Sequence, residues 1–136
     1  MEGGVPQDYN QAVTWVRRAA DQGHVRAQFN LGASYDTGAG VEKNASEALR
    51  WFRRAADQGD ASAQVNLGIM YAEGQGVRPY PVTAYFWLTL AADHENDTIR
   101  NAARTGRDFV VQEMNPIQIA DTERRARTWT PLSEPQ

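Results

Sequence analysis

An all-helical solenoid of helix-turn-helix units is the fold class that three observations predict. The first is an internal repeat: Ala27, Gln28, Leu31, Gly32, Tyr35, Gly38, Gly40 and Val41 return 36 positions later as Ala63, Gln64, Leu67, Gly68, Tyr71, Gly74, Gly76 and Val77. The match runs on through Ala48 and Ala84, Trp51 and Trp87, Ala55 and Ala91, and Ala56 and Ala92. A fixed period of this length marks units that cannot bury an apolar face alone and stack on neighbours to do so. The second observation is spacing: Ala27, Leu31 and Tyr35 fall four apart, the period of one helix face. The third is punctuation, since Gly23 and Gly59 stand where helices should stop and the stretch 38–40 is glycine-rich.

The same pattern extends backwards. Gly4, Val5, Ala12, Trp15, Arg17, Arg18, Ala19, Ala20, Asp21, Gln22 and Gly23 occupy the corresponding slots 36 positions earlier, so the chain is expected to open inside the second half of a copy. The expected organisation is one domain over 1–136. It holds a half repeat at 3–23, full repeats at 24–59 and 60–95, capping helices at 96–128 and a tail at 129–136.

Taken in order, residues 1–6 are expected to form a loop, with Gly4 and Val5 in the slots of Gly40 and Val41. Asp8 then suits an N-cap, where a carboxylate oxygen accepts from amides two or three residues on. The first helix would run to about Gln22 and carry Ala12, Trp15, Val16 and Ala19 on one face. The second, over 25–37, has Gly32 in its middle. A mid-helix glycine costs about 1 kcal/mol relative to alanine, so its return at Gly68 predicts close approach by another helix's backbone. Asn44 caps the third helix, which presents Ala48, Leu49, Trp51, Phe52 and Ala55 before Gly59.

The next copy carries Val65, Leu67, Ile69 and Tyr71, and its loop GQGVRPYP puts Pro81 in a first helical turn, where a missing N–H costs nothing. In the helix that follows, Thr89 and Leu90 replace Arg53 and Arg54, so a further helix should cover that flank. Residues 97–113 supply one, with Ile99, Ala103, Phe109 and Val110 as core candidates. Asn115, Pro116 and Gln118 then form a cap, a first-turn proline and a capping-box partner for a last helix over 116–127, bearing Ile117, Ile119, Ala120 and Ala126. Residues 129–136, with Pro131 and Pro135, suit a frayed or loosely docked tail.

The pattern A-x-x-x-L-G-x-x-Y-x-x-G-x-G-V, followed by A-x-x-W and A-A-x-Q-G, resembles the Sel-one-like repeat, a helix-turn-helix relative of the tetratricopeptide repeat. The resemblance spans residues 3–93, and the closing segment MNPIQIADTERRARTW resembles the one that follows the final repeat in many family members. It implies a right-handed α/α superhelix that scaffolds protein–protein interactions. It names no partner.

Composition narrows the function classes. Net charge is -3 and the sequence pI is ≈ 5.3, so no overall basic field argues for nucleic acid or an anionic membrane. No stretch of about 18 apolar residues is present, and no charged start precedes an apolar core, so neither a membrane span nor a signal peptide is expected. Nothing in the sequence names a compartment. Cysteine is absent, which removes disulfides, thiolate nucleophiles and cysteine zinc sites. Cysteine-rich relatives staple each repeat with a disulfide; this chain relies on packing.

No catalytic, metal or cofactor site is expected. His24 and His94 follow equivalent helix ends without a paired ligand cluster. Ser34, Ser46, Ser62 and Ser133 lack a nucleophile-elbow sequence or a histidine at motif-like spacing. Glu42, Glu47 and Glu73 fall on solvent faces or loops. GAGV and GQGV join two helices, whereas a phosphate loop needs a preceding strand. Recurrence of Trp15, Trp51 and Trp87 at the repeat period, with Tyr35 and Tyr71, predicts core packing. Arg17, Arg18, Arg53 and Arg54 lie near helix C-termini, where the dipole favours cations.

In tetratricopeptide-type solenoids the first helix of each unit lines the concave face. By that resemblance the positions left free by packing are Arg26, Phe29, Asn30, Ala33 and Asp36 in one unit and Ser62, Val65, Asn66, Ile69 and Glu73 in the next. Asn30 and Asn66 are equivalent, and their amides suit the donors and acceptors of a peptide backbone; alternatively they hold the scaffold. Phe29, Val65, Ile69 and Met70 would add an apolar strip. The expected function is a non-enzymatic adaptor that binds a peptide or partner protein in this groove. A second expectation is a homodimer through the N-terminal edge, where Ala12, Trp15 and Val16 lie uncovered. Cysteine-rich relatives are linked to penicillin-like ligands and cell-wall chemistry, but this chain shares only the repeat with them.

Overall fold

The computed structural model describes the backbone over 4–134 and side chains from residue 11 onward. Its helices are α1 (Gly4–Asp21), α2 (Val25–Thr37), α3 (Ala45–Asp57), α4 (Ala61–Glu73), α5 (Pro81–Ala91), α6 (Asp97–Val110) and α7 (Pro116–Arg127), with a 3-10 turn at Val111–Glu113. Each helix through α6 packs on its sequence neighbour; in addition α4 touches α6 and α5 touches α7. No strand occurs among the described residues. The result is a right-handed α/α solenoid in which α6 packs beside α4.

The helix ends are set as the glycines and caps dictate. Gly23 adopts φ 95° and Gly59 φ 100°, a left-handed backbone that costs a Cβ-bearing residue steric energy. At each, two amides close the helix: Gly23 N–H donates to Ala20 and His24 N–H to Ala19, as Gly59 does to Ala56 and Asp60 to Ala55, all within 3.0–3.1 Å. Asn44 Oδ1 accepts from Glu47 N–H at 3.1 Å, Asp60 Oδ2 from Ala63 N–H at 2.9 Å and Asn96 Oδ1 from Ile99 N–H at 3.0 Å. Asn115 and Gln118 complete a capping box at α7, and Pro116 follows the cap directly.

The start of the chain differs from expectation. The backbone is helical from Gly4 and stays so through Asp8, which therefore does not cap α1. Pro6 falls in the first turn, where amides have no intrahelical acceptor in any case, so it does not break the helix. Residues 1–3 of the expected loop lie outside the described residues.

Inside the solenoid, large side chains seat on small ones. A Cβ built on Gly32 would lie 2.8 Å from Phe52 Cδ1, and one on Gly68 would lie 2.7 Å from Leu88 Cγ. The recurring glycine thus admits a neighbour's side chain; the close backbone approach that the sequence suggested occurs at Gly68, where the Ala84 carbonyl would stand 3.3 Å from the added Cβ, and not at Gly32. Leu88 also presses on Gly106 of α6, whose Cβ would stand 3.0 Å from Leu88 Cδ1. Phe52, Leu67, Leu31, Leu88 and Trp51 are buried among nine wholly or nearly wholly enclosed alanines (Ala20, Ala48, Ala55, Ala56, Ala63, Ala84, Ala91, Ala92 and Ala103). Burying a Leu or Phe contributes about 1.5–3 kcal/mol, so these contacts dominate the fold.

A polar device repeats with the period. Buried Gln28 donates from Nε2 to the Ala20 carbonyl at 3.1 Å, and buried Gln64 does the same to Ala56 at 3.3 Å. At the third turn Arg104 Nε takes over, donating to Ala92 at 2.8 Å. The Ala20 and Ala56 carbonyls thus accept twice, from the glutamine amide and from the Gly23 or Gly59 N–H, which ties the start of one helix to the end of the helix before it.

Two expectations about burial, for Trp15 and Phe109, need correcting. Trp51 and Trp87 are core residues at 1% and 3% exposure, but Trp15, their equivalent, is 67% exposed and stacks only on Arg18. Phe109 is 61% exposed, because α6 turns its Ala103 and Val110 inward. Of the two states expected for the tail, frayed or loosely docked, it takes the docked one: Leu132 N–H donates to the Asp57 carbonyl at 2.8 Å and Glu134 reaches Arg54 at 2.7 Å.

Candidate partner-binding groove

The candidate face lies on the first helix of each unit, and its shape follows from which side chains the core consumes. In α2, Gln28, Leu31 and Gly32 turn inward, leaving Arg26 and Asn30 exposed and Phe29, Ala33 and Asp36 partly covered. Phe29 tilts onto Phe52 with centroids 5.5 Å apart, and the Arg26 guanidinium lies over the Phe29 ring at 5.1 Å and 3.7 Å from Asp60. In α4, Ser62, Asn66 and Ile69 are partly covered and Glu73 is exposed. Val65 and Met70, expected in the surface strip, are buried at 6% and 3%; α6 packs over Val65 and the core takes Met70.

Two adjoining clefts result, and α6 forms one wall of both. A smaller one of ≈ 230 Å³ is lined by Phe29, Ser62, Val65, Asn66, Thr98, Ile99 and Ala102. A larger one of ≈ 550 Å³ is lined mainly by apolar surface: Ile69, Ala72, Leu88, Ala102, Gly106 and Phe109, with Glu73, Asn101 and Thr105 at its edge. Ala102 belongs to both, so the clefts form one valley between α4 and α6. The candidates Phe29, Ser62, Val65, Asn66, Ile69 and Glu73 are brought to this valley, whereas Arg26, Asn30, Ala33 and Asp36 line neither cleft.

Chemically the valley offers a mostly apolar floor with hydroxyl and amide groups beside it. The side-chain amides of Asn30 and Asn66 make no hydrogen bond to the rest of the described protein, so both stay open to a ligand. Glu73 is held by Gln75 Nε2 at 2.6 Å. No group of three or more metal-ligating side chains occurs among the described residues, and none of their helices is long and apolar enough to cross a membrane.

The α6 wall is what sequence reasoning missed. Thr98, Asn101, Ala102, Thr105 and Phe109 lie 36 positions beyond Ser62, Val65, Asn66, Ile69 and Glu73, so the register carried the signal. It was masked because Ala103, Arg104 and Arg107 replace the Leu, Gly and Tyr that mark the repeat. Phe109, expected in the core, stands instead at the groove's edge.

Comparison with known proteins places this geometry. The model of the Sel1 repeat matches residues 1–24, 25–60 and 61–96. The chain belongs to the Sel1 repeat family. Among solved structures, this Sel1 repeat chain is similar to a protective antigen of uropathogenic Escherichia coli strains that displays an SLR fold, at 32% identity over 94% of the chain with a TM-score of 0.81. It is also similar to a Sel1 repeat protein from Oxalobacter formigenes, at 29% identity over 88% of the chain with a TM-score of 0.63. The chain spans 27% of the first protein and 62% of the second. No curated protein matches it.

Proposed function

We propose that this Sel1 repeat domain is a non-catalytic adaptor that holds a peptide or partner-protein segment in the valley between α4 and α6. Sel1 repeat proteins are in general protein–protein interaction modules, which is the frame for this reading. The observation that carries it is the apolar cleft of ≈ 550 Å³, open along Ile69, Ala102, Gly106 and Phe109 and joined at Ala102 to the smaller cleft that the unengaged Asn66 lines. Such a site suits one or two large apolar side chains, with the amide free to meet the backbone between them.

The test is capture with the purified chain beside a variant carrying Asn66→Ala, Ile69→Ala and Phe109→Ala. These side chains are exposed or partly covered, so helical circular dichroism should be kept while partner affinity falls at least tenfold. Undiminished capture by a folded variant would count against the valley.

A second reading rests on Trp15, which is 67% exposed on α1. An exposed aromatic of this size suits self-association through that face. Light scattering over a hundredfold concentration range should then show a dimer that Trp15→Ala abolishes. A constant monomer mass would remove the idea.

A further inference from the structure

After α7 the chain turns back along the rim of the solenoid, towards the end of α3 and the start of α2, and residues 129–134 meet that rim at three kinds of contact. The Trp129 ring stands edge-on to buried Trp87 at 6.2 Å, and the Arg53 guanidinium lies over Trp87 at 5.4 Å. The Leu132 N–H donates to the Asp57 carbonyl at 2.8 Å while Pro131 lies against Gly59. Glu134 then enters a clamp: its Oε1 accepts from Arg54 Nη2 at 2.7 Å and Gln28 Nε2 at 3.0 Å, and its Oε2 from Arg54 Nε at 3.3 Å.

The clamp is preorganised by the scaffold. Gln28 has no solvent exposure; its Nε2 also donates to the Ala20 carbonyl, and its Oε1 accepts from Gln58 Nε2 at 2.8 Å. Gln58 Nε2 is tied in turn to the Gly23 carbonyl at 3.3 Å. One N–H of the buried amide is thus left for a carboxylate, and the two-nitrogen face of Arg54 matches carboxylate geometry. The repeat makes the same site nowhere else: 36 positions on, Gln64 keeps its bond to Ala56, but Arg54 becomes Leu90.

We propose that this rim is a peptide-binding site separate from the groove, specific for an extended segment with an aromatic side chain five residues before a carboxylate, and that residues 129–134 occupy it in cis. Main-chain pairing at Asp57, an aromatic slot at Trp87 and a carboxylate clamp at Gln28 and Arg54 together fix direction and register. A tethered occupant has an effective concentration in the millimolar range for a short linker. A free peptide of the same chemistry therefore enters only when the cis segment is weakened.

The experiment uses the full chain and a fluorescein-labelled peptide of residues 128–136, TWTPLSEPQ, followed by fluorescence anisotropy. A Trp129→Ala, Glu134→Gln chain should bind this peptide at least tenfold more tightly than the unaltered chain. Adding Arg54→Ala should abolish the gain, whereas adding Phe109→Ala in the groove should leave it intact. A folded double variant that binds no better, or binds regardless of Arg54, would overturn the proposal. In case the double variant fails to fold, Glu134→Gln alone is followed by hydrogen exchange at the Leu132 amide. Exchange should quicken about threefold to fivefold, and unchanged protection would equally overturn the site.

Discussion

In α2–α5 two bulky side chains sit on glycine seats across the interface, Phe52 over Gly32 and Leu88 over Gly68, and the seats recur with the period. From α6 onward the chain adds point attachments: Arg104 to the Ala92 carbonyl, Tyr85 Oη to Glu123 at 2.7 Å, and Glu134 to Arg54. The first region is held by area removed from water and the second leans more on charge-assisted hydrogen bonds. Their responses to mutation and pH should differ accordingly.

The largest expected effect breaks a seat in the repeats. Phe52→Ala removes a wholly buried ring and should cost about 3–5 kcal/mol, a large share of the 5–15 kcal/mol typical of a domain. Urea denaturation would read it as a lowered midpoint with unchanged slope. Gly68→Ala comes next. It gains up to about 1 kcal/mol of helix propensity but drives a methyl to 2.7 Å from Leu88 Cγ, and overpacking of this kind costs about 1–3 kcal/mol. Calorimetry should show net destabilisation, and less of it for Gly106→Ala, which meets only the tip of Leu88.

In the closing region, Tyr85→Phe should cost about 1–2 kcal/mol by deleting a hydrogen bond to a carboxylate. Burial, then the Glu123 carboxylate, pushes the Tyr85 hydroxyl up to about 12. A phenol with a raised folded value contributes stability that is complete below its ordinary value near 10 and is lost as pH rises through about 12. Absorbance titration at alkaline pH should therefore show one tyrosine ionising late, and Tyr85→Phe should remove that step.

The smallest effect belongs to the tail. The Arg54 hydrogen bond, reinforced by Gln28, holds the Glu134 carboxyl below its usual range, with Asp21 acting on Arg54 from α1. A carboxyl with a lowered folded value contributes stability above its ordinary range and loses it as pH falls through the folded value. Glu134→Gln should thus cost no more than about 1 kcal/mol at neutral pH, given partial solvent screening. The difference from the unaltered chain should vanish in acid, as thermal melts across pH would show.

The same contrast explains what was legible in the sequence. Leu31, Leu67, Trp51 and Trp87 announced the solenoid because area-driven packing repeats with the helix period, and the Asn115 cap is a local pattern. The Trp129 and Glu134 contacts join residues far apart in sequence through single polar or aromatic meetings, which leave no period to find. Asn66 and Ile69 were legible as positions outside the packed core because a helix that packs on one side must show its other side. Val65 was misjudged because α6 covers it, and α6 had lost the Leu-Gly-Tyr signature while keeping its place in the register.

The most direct test of the groove is methyl NMR of the chain with and without the captured partner segment. The account predicts that the methyl signals of Ile69, Leu88 and Ala102, which line the valley, shift on binding while those of Val13 on α1 and Val82 on α5 stay in place. Shifts confined to Val13 or Val82, with the valley methyls unmoved, would contradict it.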